Sequence, residues 1–124
     1  MIVELGKEFA RVFSNFPVGD QDKILDFIEH VEVHGFDGLE GKNVSSTNVD
    51  KDDPQFILKV QKARQYNLFH YHIGIPSYRV SPNGYKTSEY VIHYRKISVN
   101  EIKIVDMSSH PPFQLPSNVH LDDD

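Results

Sequence analysis

Four histidines have the spacing best suited to chemistry. His70 and His72 lie two residues apart in an alternating, aromatic-rich segment, His93 lies in a second such segment, and His110 follows a third. Imidazole titrates near neutral pH, so a histidine can act as a general base or a general acid. Several histidines on one surface would therefore suit a reaction that needs proton transfers at two different atoms.

Cleavage of RNA without a metal is a reaction of this kind. The neighbouring 2′-hydroxyl is the nucleophile, so the enzyme needs a base for its proton, an acid for the leaving 5′-oxygen and positive charge near the phosphate. We expect His70 or His72 to be one of the two proton-transfer groups and His110 to be the complementary one. The spacing alone does not assign the base and the acid.

Cationic and aromatic side chains in the same part of the chain would complete such a site. Arg95 is expected to stabilise the phosphate together with Lys103 and Arg79, because a guanidinium can hold a phosphate through two hydrogen bonds. Tyrosines could stack on unpaired bases. The remaining candidates for contacts with RNA are Lys62, Arg64, His93, Tyr66, Tyr78 and Tyr85.

Two other interpretations of these residues stay open. Histidines at positions i and i+2 of a strand can chelate zinc, copper or iron, and His93 or His110 would supply a third ligand to His70 and His72. No carboxylate at a matching spacing accompanies them, so we expect neither a metal nor another cofactor. In the second interpretation the histidines and Arg95 are ordinary surface residues whose polarity discourages pairing with a foreign strand edge.

Length and composition predict one globular domain over residues 1–124, with no cysteine for disulfides or thiolate metal sites. The net charge of −5 is unevenly distributed. Residues 1–58 hold 12 acidic and 5 basic side chains, whereas residues 59–103 hold 8 basic and 2 acidic ones, a balance of +6. A polyanion responds to the local field, so RNA remains a plausible partner. No long apolar run or secretory signal is visible, which predicts a cytoplasmic protein without a membrane partner.

The elements that must position these residues are predicted to form an α+β fold. Apolar residues at helical spacing predict a helical hairpin over residues 2–34, with helices at 2–14 and 20–34. Gly35 suits the C-terminal cap of the second helix. A long loop is expected over residues 35–53.

Residues 54–110 are predicted to contain a helix or a strand, followed by an antiparallel β-meander. Strong turn signals place a long turn over residues 76–86. Residues 111–124 are expected to be a C-terminal tail with a frayed acidic end. The three predicted strands are Asn67–Ile75, Ser88–Ile97 and Glu101–Met107.

Strand alternation then assigns side chains to two faces of the sheet. One face would be apolar and receive the helical hairpin, and the other would be a cationic surface that carries the histidines. A shift of one residue in register would bury charge, so the register should be well specified. The apolar set is Phe69, Tyr71, Ile73, Tyr90, Ile92, Tyr94, Ile102 and Ile104, and the opposite set is His70, His72, His93, Arg95 and Lys103.

This layout resembles the RelE/ParE superfamily of toxins from bacterial type II toxin–antitoxin modules, and within it the YafO-type mRNA interferases. The segments that resemble the family are 68–73, 89–94, 102–106 leading into His110-Pro111, and 37–43. The resemblance implies a RelE-like fold and an mRNA-cleaving endoribonuclease that acts with or without the ribosome. It also implies neutralisation by a cognate antitoxin.

By position, His70 and His72 match the histidine pair of this family, and His110 matches its histidine after the last strand. The acidic overall charge and the Asp122-Asp123-Asp124 end depart from the pattern. Some members of the superfamily act on gyrase rather than on RNA. A ParE-like toxin with a protein target, or a catalytically inactive module that binds RNA or protein, are therefore the alternatives.

Overall fold

The computed structural model describes residues 1–110 and 113–121. The described part of the chain has an α+β architecture, and none of its helices is long and apolar enough to cross a membrane. The strands are β1 (Ile2–Leu5), β2 (Asn43–Ser45), β3 (Leu68–Ile75), β4 (Arg79–Val80), β5 (Lys86–Thr87), β6 (Tyr90–Ser98) and β7 (Glu101–Ser109), and the helices are α1 (Lys7–Phe13), α2 (Val18–His34), α3 (Phe56–Gln65) and α4 (Asn118–Leu121).

Five strands form one mixed sheet in the order β1-β7-β6-β3-β2. Strands β3, β6 and β7 make the predicted antiparallel meander, which confirms that part of the fold. Strand β2 adds to the free edge of β3 in antiparallel orientation, and β1 pairs in parallel with β7 at the opposite edge. Strands β4 and β5 form a separate hairpin.

The prediction of a helix over residues 2–14 is wrong for its first turn, because residues 2–5 form β1. Val3 and Leu5 are half-buried while Ile2 and Glu4 are exposed, which is the two-residue period of a strand. The pairing partner is β7, more than ninety positions away, and local periodicity cannot reveal it. The helical pair therefore comprises α1 and α2, and Gly35 ends α2 with a φ of 64°.

Four further elements lie wholly or partly in segments that were predicted to be irregular. The loop over 35–53 contains β2, the long turn over 76–86 contains β4 and the first residue of β5, and the tail contains α4. Of the two alternatives after residue 54, the helix is the one observed, as α3. Pro111, Pro112 and the three final aspartates lie outside the described residues.

The first face of the sheet is the main core, as predicted. Helices α1 and α2 press Phe9, Ile24, Phe27 and Val31 against it. Phe27 stacks on Tyr71 with ring centroids 4.8 Å apart. The predicted apolar set lies here: Tyr71, Ile73, Ile92, Tyr94, Ile102 and Ile104 are buried, and Phe69 and Tyr90 pack at its margin.

The second face is not an exposed cationic surface, which corrects the expectation from sequence. Helices α3 and α4 lie over part of it and enclose a smaller apolar cluster of Ala63, Leu68, Val105 and Leu121. The histidines on this face are also buried, since none of His70, His72 and His93 is more than 5% exposed, and the Phe113 ring centroid lies 4.8 Å from that of His70.

Candidate functional site

Three histidines meet at the end of the second face. His70 and His72 point to this side from β3, and His110 follows directly after β7. The His110 amide donates to the Glu89 carbonyl at 2.5 Å, which holds the chain after β7 beside the start of β6. One ring nitrogen of each histidine lies within 4.8 Å of the others. We call His70, His72 and His110 the histidine triad.

Serines of two neighbouring segments hold the rings of His70 and His72. His70 Nδ1 lies 3.0 Å from the hydroxyl of Ser46, just after β2. His72 Nδ1 lies 2.9 Å from the Ser88 carbonyl oxygen and 3.0 Å from the Ser88 amide nitrogen, just before β6. With Nδ1 engaged in both rings, Nε2 is the nitrogen available to a ligand.

The triad lines an open pocket of about 430 Å³. This is within the range of small-molecule sites and suits a ligand of nucleotide size. Its basic side chains other than histidine are Lys42, before β2, and Arg79, at the start of the β4–β5 hairpin. The lining residues are Lys42, Val44, Asn48, Asp50, His70, His72, Arg79, Thr87, Ser88, His110 and Phe113.

Burial makes the triad hard to protonate in the unliganded protein. Burial lowers the pKa of His70 to about 3, and the neighbouring histidines and Lys42 add repulsion against a positive charge. Burial also lowers the pKa of His72, against the effect of its bond to the Ser88 backbone. The pKa of His110 is lowered for the same first reason. At neutral pH the triad therefore offers neutral imidazoles, and the positive charge of the pocket comes from Lys42 and Arg79.

His93 lies beneath the triad and does not line the pocket. It is fully buried, its ring centroid is 6.2 Å from that of His70, and its Nε2 lies 2.7 Å from the Ser108 hydroxyl. Its Nδ1 has no hydrogen-bond partner among the described residues. Burial lowers the pKa of His93 to about 3, so this histidine is neutral at neutral pH and lies within the packed interior of this face.

Arg95 and Lys103 lie opposite each other at the other end of this face, away from the pocket. Arg95 Nε donates to the Tyr66 carbonyl at 3.2 Å, and the guanidinium lies over the Tyr66 ring at 5.2 Å from its centroid. The structure therefore does not bring Arg95, Lys103 or Tyr66 to the triad. The predicted phosphate ligand Arg95 instead ties β6 to the end of α3.

The other predicted contacts are divided between the pocket and remote positions. Lys62 and Arg64 lie on α3 and do not line the pocket. Tyr78 lines a different cavity of about 560 Å³ beside α2, and its hydroxyl donates to the His72 carbonyl at 2.8 Å. Tyr85 is 53% exposed and does not line the pocket, but its ring centroid lies 5.1 Å from Nζ of the pocket residue Lys42.

Sequence reasoning missed Lys42, Ser46 and Ser88, which complete the site. Lys42 is placed by the backbone, because its carbonyl accepts the His72 amide at 2.9 Å. The preceding Gly41 runs so close to β3 that an added Cβ would lie 1.9 Å from the His72 carbonyl oxygen. In the sequence, the glycine before Lys42 was the available sign of a close approach between strands. Strand β2 itself has only three residues, which are too few to show the two-residue alternation of a strand.

Comparisons with protein-family models, with curated proteins and with solved structures gave no match. The function must therefore be inferred from the site itself.

Proposed function

We propose that the protein is an endoribonuclease that cleaves mRNA at the histidine triad without a metal. One observation carries the proposal: three imidazoles converge in a pocket that also contains Lys42 and Arg79. The two cations attract a phosphate, and the imidazoles supply the proton-transfer groups that the reaction needs. Tyr85, exposed beside Lys42, is a surface on which an unpaired base can stack.

In the proposed reaction one imidazole nitrogen takes the proton of the 2′-hydroxyl. The 2′-oxygen then forms a bond to phosphorus and the bond from phosphorus to the 5′-oxygen breaks. A second, protonated imidazole gives its proton to the 5′-oxygen, so the products are a 2′,3′-cyclic phosphate and a 5′-hydroxyl. The number of protons on the triad is unchanged, and the negative phosphate favours the one proton that the triad must carry before the reaction.

We further propose that the fold is RelE-like and that the protein is the toxin of a type II module, with a cognate antitoxin as its partner. Two helices followed by a three-stranded meander, with histidines on β3 and after β7, support this assignment. A small neighbouring reading frame with a DNA-binding half would add independent support.

Cleavage assays with purified protein test the proposal. The protein is incubated with RNA and with its 2′-deoxy counterpart, with and without ribosomes, and the new ends are identified. We expect cyclic phosphate ends on RNA only and no loss of cleavage when a chelator is added. The half-buried His110 is the triad member to change first. His110→Ala should lower the rate by about 10²–10⁴-fold, which is the usual contribution of general acid–base catalysis.

His34→Ala is the matched control, because His34 is exposed near the end of α2 and far from the triad in the fold. Its rate should equal that of the unchanged protein. Cleavage of the deoxy substrate, or loss of activity with a chelator, would contradict the mechanism. RNA binding without cleavage would indicate a binding module instead. Growth arrest with intact mRNA and an activated DNA-damage response would indicate a ParE-like toxin.

A further inference from the structure

The geometry of the triad is close to that of a three-nitrogen metal site. A tetrahedral zinc ion with Zn–N bonds of about 2.0–2.1 Å holds its nitrogens about 3.4 Å apart. The nitrogens of His70, His72 and His110 lie within 4.8 Å of one another. Small rotations of the rings would close this gap, and His110 is the half-buried member of the triad.

The surroundings of His70 and His72 match those of metal-binding histidines. Such residues usually donate the second ring N–H to a carbonyl, hydroxyl or carboxylate, which fixes the ring orientation and the tautomer. Ser46 Oγ, 3.0 Å from His70 Nδ1, and the Ser88 carbonyl, 2.9 Å from His72 Nδ1, are in position to accept these bonds. A metal on Nε2 of His72 would select the tautomer that donates to that carbonyl.

The pocket leaves room for a fourth ligand. The triad opens into the cavity of about 430 Å³ rather than into the apolar core. Lys42 and Arg79 line the same cavity, so the fourth position favours an anion such as hydroxide or a phosphate oxygen. Three imidazoles and one open position suit zinc, copper and iron better than magnesium or calcium, which prefer oxygen ligands.

We propose that His70, His72 and His110 bind one divalent transition-metal ion, with Zn²⁺ as the representative, and that the bound ion blocks RNA cleavage. The second part rests on the proposed ribonuclease function. The ion would occupy the nitrogens that otherwise move protons, so the metal-free protein is the active form.

Direct titration tests the metal site without reference to activity. Metal-stripped protein is titrated with Zn²⁺ by calorimetry and with Co²⁺ by visible absorption. We expect one ion per chain and the intense bands of tetrahedral cobalt. Ser46→Ala should weaken binding by roughly 10–100-fold, the range for loss of an outer partner, and His110→Ala should weaken it more. His34→Ala should bind as the unchanged protein does.

His110→Ala keeps the test decisive if changes at the buried His70 or His72 prevent folding, because His110 is only half-buried. Equal Zn²⁺ affinity in His110→Ala and the unchanged protein would overturn the metal site. Zn²⁺ should also stop RNA cleavage, with recovery after a chelator is added. Binding at the triad without any cleavage by metal-free protein would refute the ribonuclease and leave the metal site standing. Activation by Zn²⁺ would refute the inhibitory role.

Discussion

The two faces of the five-stranded sheet come from the same alternating strands. They differ in the side chains that they carry and in how completely helices cover them. The face under α1 and α2, the apolar face, carries mainly apolar side chains, and residues such as Ile92 and Ile104 are fully buried. The opposite face, which we call the histidine face, mixes buried apolar residues, including Leu68 and Val91, with buried histidines. Helices α3 and α4 close it at one end only, and the pocket opens at the other.

This difference shows how a fold can hold polar groups in fixed positions. The apolar face holds the larger core cluster, and it specifies the register of β3, β6 and β7 because a slip would bury charge. The histidine face can then keep imidazoles away from water, where their orientation depends on Ser46 and Ser88 rather than on solvent. Preorganised groups of this kind are what proton transfer and metal binding both require.

The largest expected effect comes from breaking the apolar face. Phe27→Ala removes the ring that stacks on Tyr71 at 4.8 Å and should lower the free energy of unfolding by about 3–5 kcal/mol. Denaturant titration measures the loss. Leu25→Ala, on the same helix but 51% exposed, should cost less than about 1 kcal/mol. Similar losses for both variants would mean that α2 does not pack on the sheet as described.

The sequence predicted the apolar face better than the histidine face, and the reason is physical. Eight apolar residues at alternate positions of three strands specify one register, because any slip would bury charge. The same alternation put the histidines together, but it did not show what covers them. Leu68, Val91 and Val105 on that face were the available signal for a second layer.

The parts of the site that were missed depend on long-range pairing. Lys42 reaches the pocket because the segment before β2 pairs with β3, and β2 itself has only three residues. Arg95 was expected at the phosphate because it shares a face with His93. The two ends of that face contact different parts of the fold. Arg95 lies at the end where it bonds to the Tyr66 carbonyl, and the pocket lies at the other end.

Acid should destabilise the protein through the histidine face. The folded state lowers the pKa of His93 to about 3, so the unfolded chain binds its proton first as the pH falls below about 6.5. Stability is therefore complete above pH 6.5 and is lost progressively towards pH 3. For His93 alone the loss between pH 6 and pH 4 should be about 2–3 kcal/mol.

Unfolding titrations in a chelator-containing buffer measure this slope. His93→Gln keeps a group that can bond to the Ser108 hydroxyl but does not titrate in this range. Its stability should fall less steeply with pH than that of the unchanged protein. Equal slopes would show that the proton uptake on unfolding belongs to other groups.

Gly41 precedes β2 and packs closely against β3, and changing it should lower the free energy of unfolding less than the loss of the Phe27 ring does. A Cβ at this position would lie 1.9 Å from the His72 carbonyl oxygen, so β2 or β3 must shift. Gly41→Ala should lower stability by about 1–3 kcal/mol and reduce RNA cleavage. Gly19→Ala in α2 meets no atom within 4 Å and should stabilise the protein by about 0.4–1 kcal/mol. A stable, fully active Gly41→Ala variant would show that the close approach does not exist.

The smallest expected effect distinguishes the two ends of the histidine face by their response to salt. The affinity of a protein for single-stranded RNA falls with salt because each phosphate contact releases a counterion, with a log–log slope of about −0.7 per contact. Arg79 lines the pocket, so Arg79→Gln should reduce the magnitude of the slope by about 0.7. Arg95 holds the Tyr66 backbone, so Arg95→Gln should leave the slope unchanged and instead lower stability by about 1 kcal/mol.

Fluorescence anisotropy with a labelled RNA at several salt concentrations measures both slopes. A reduced slope for Arg95→Gln with an unchanged slope for Arg79→Gln would place the phosphate at the opposite end of the face, away from the histidine triad.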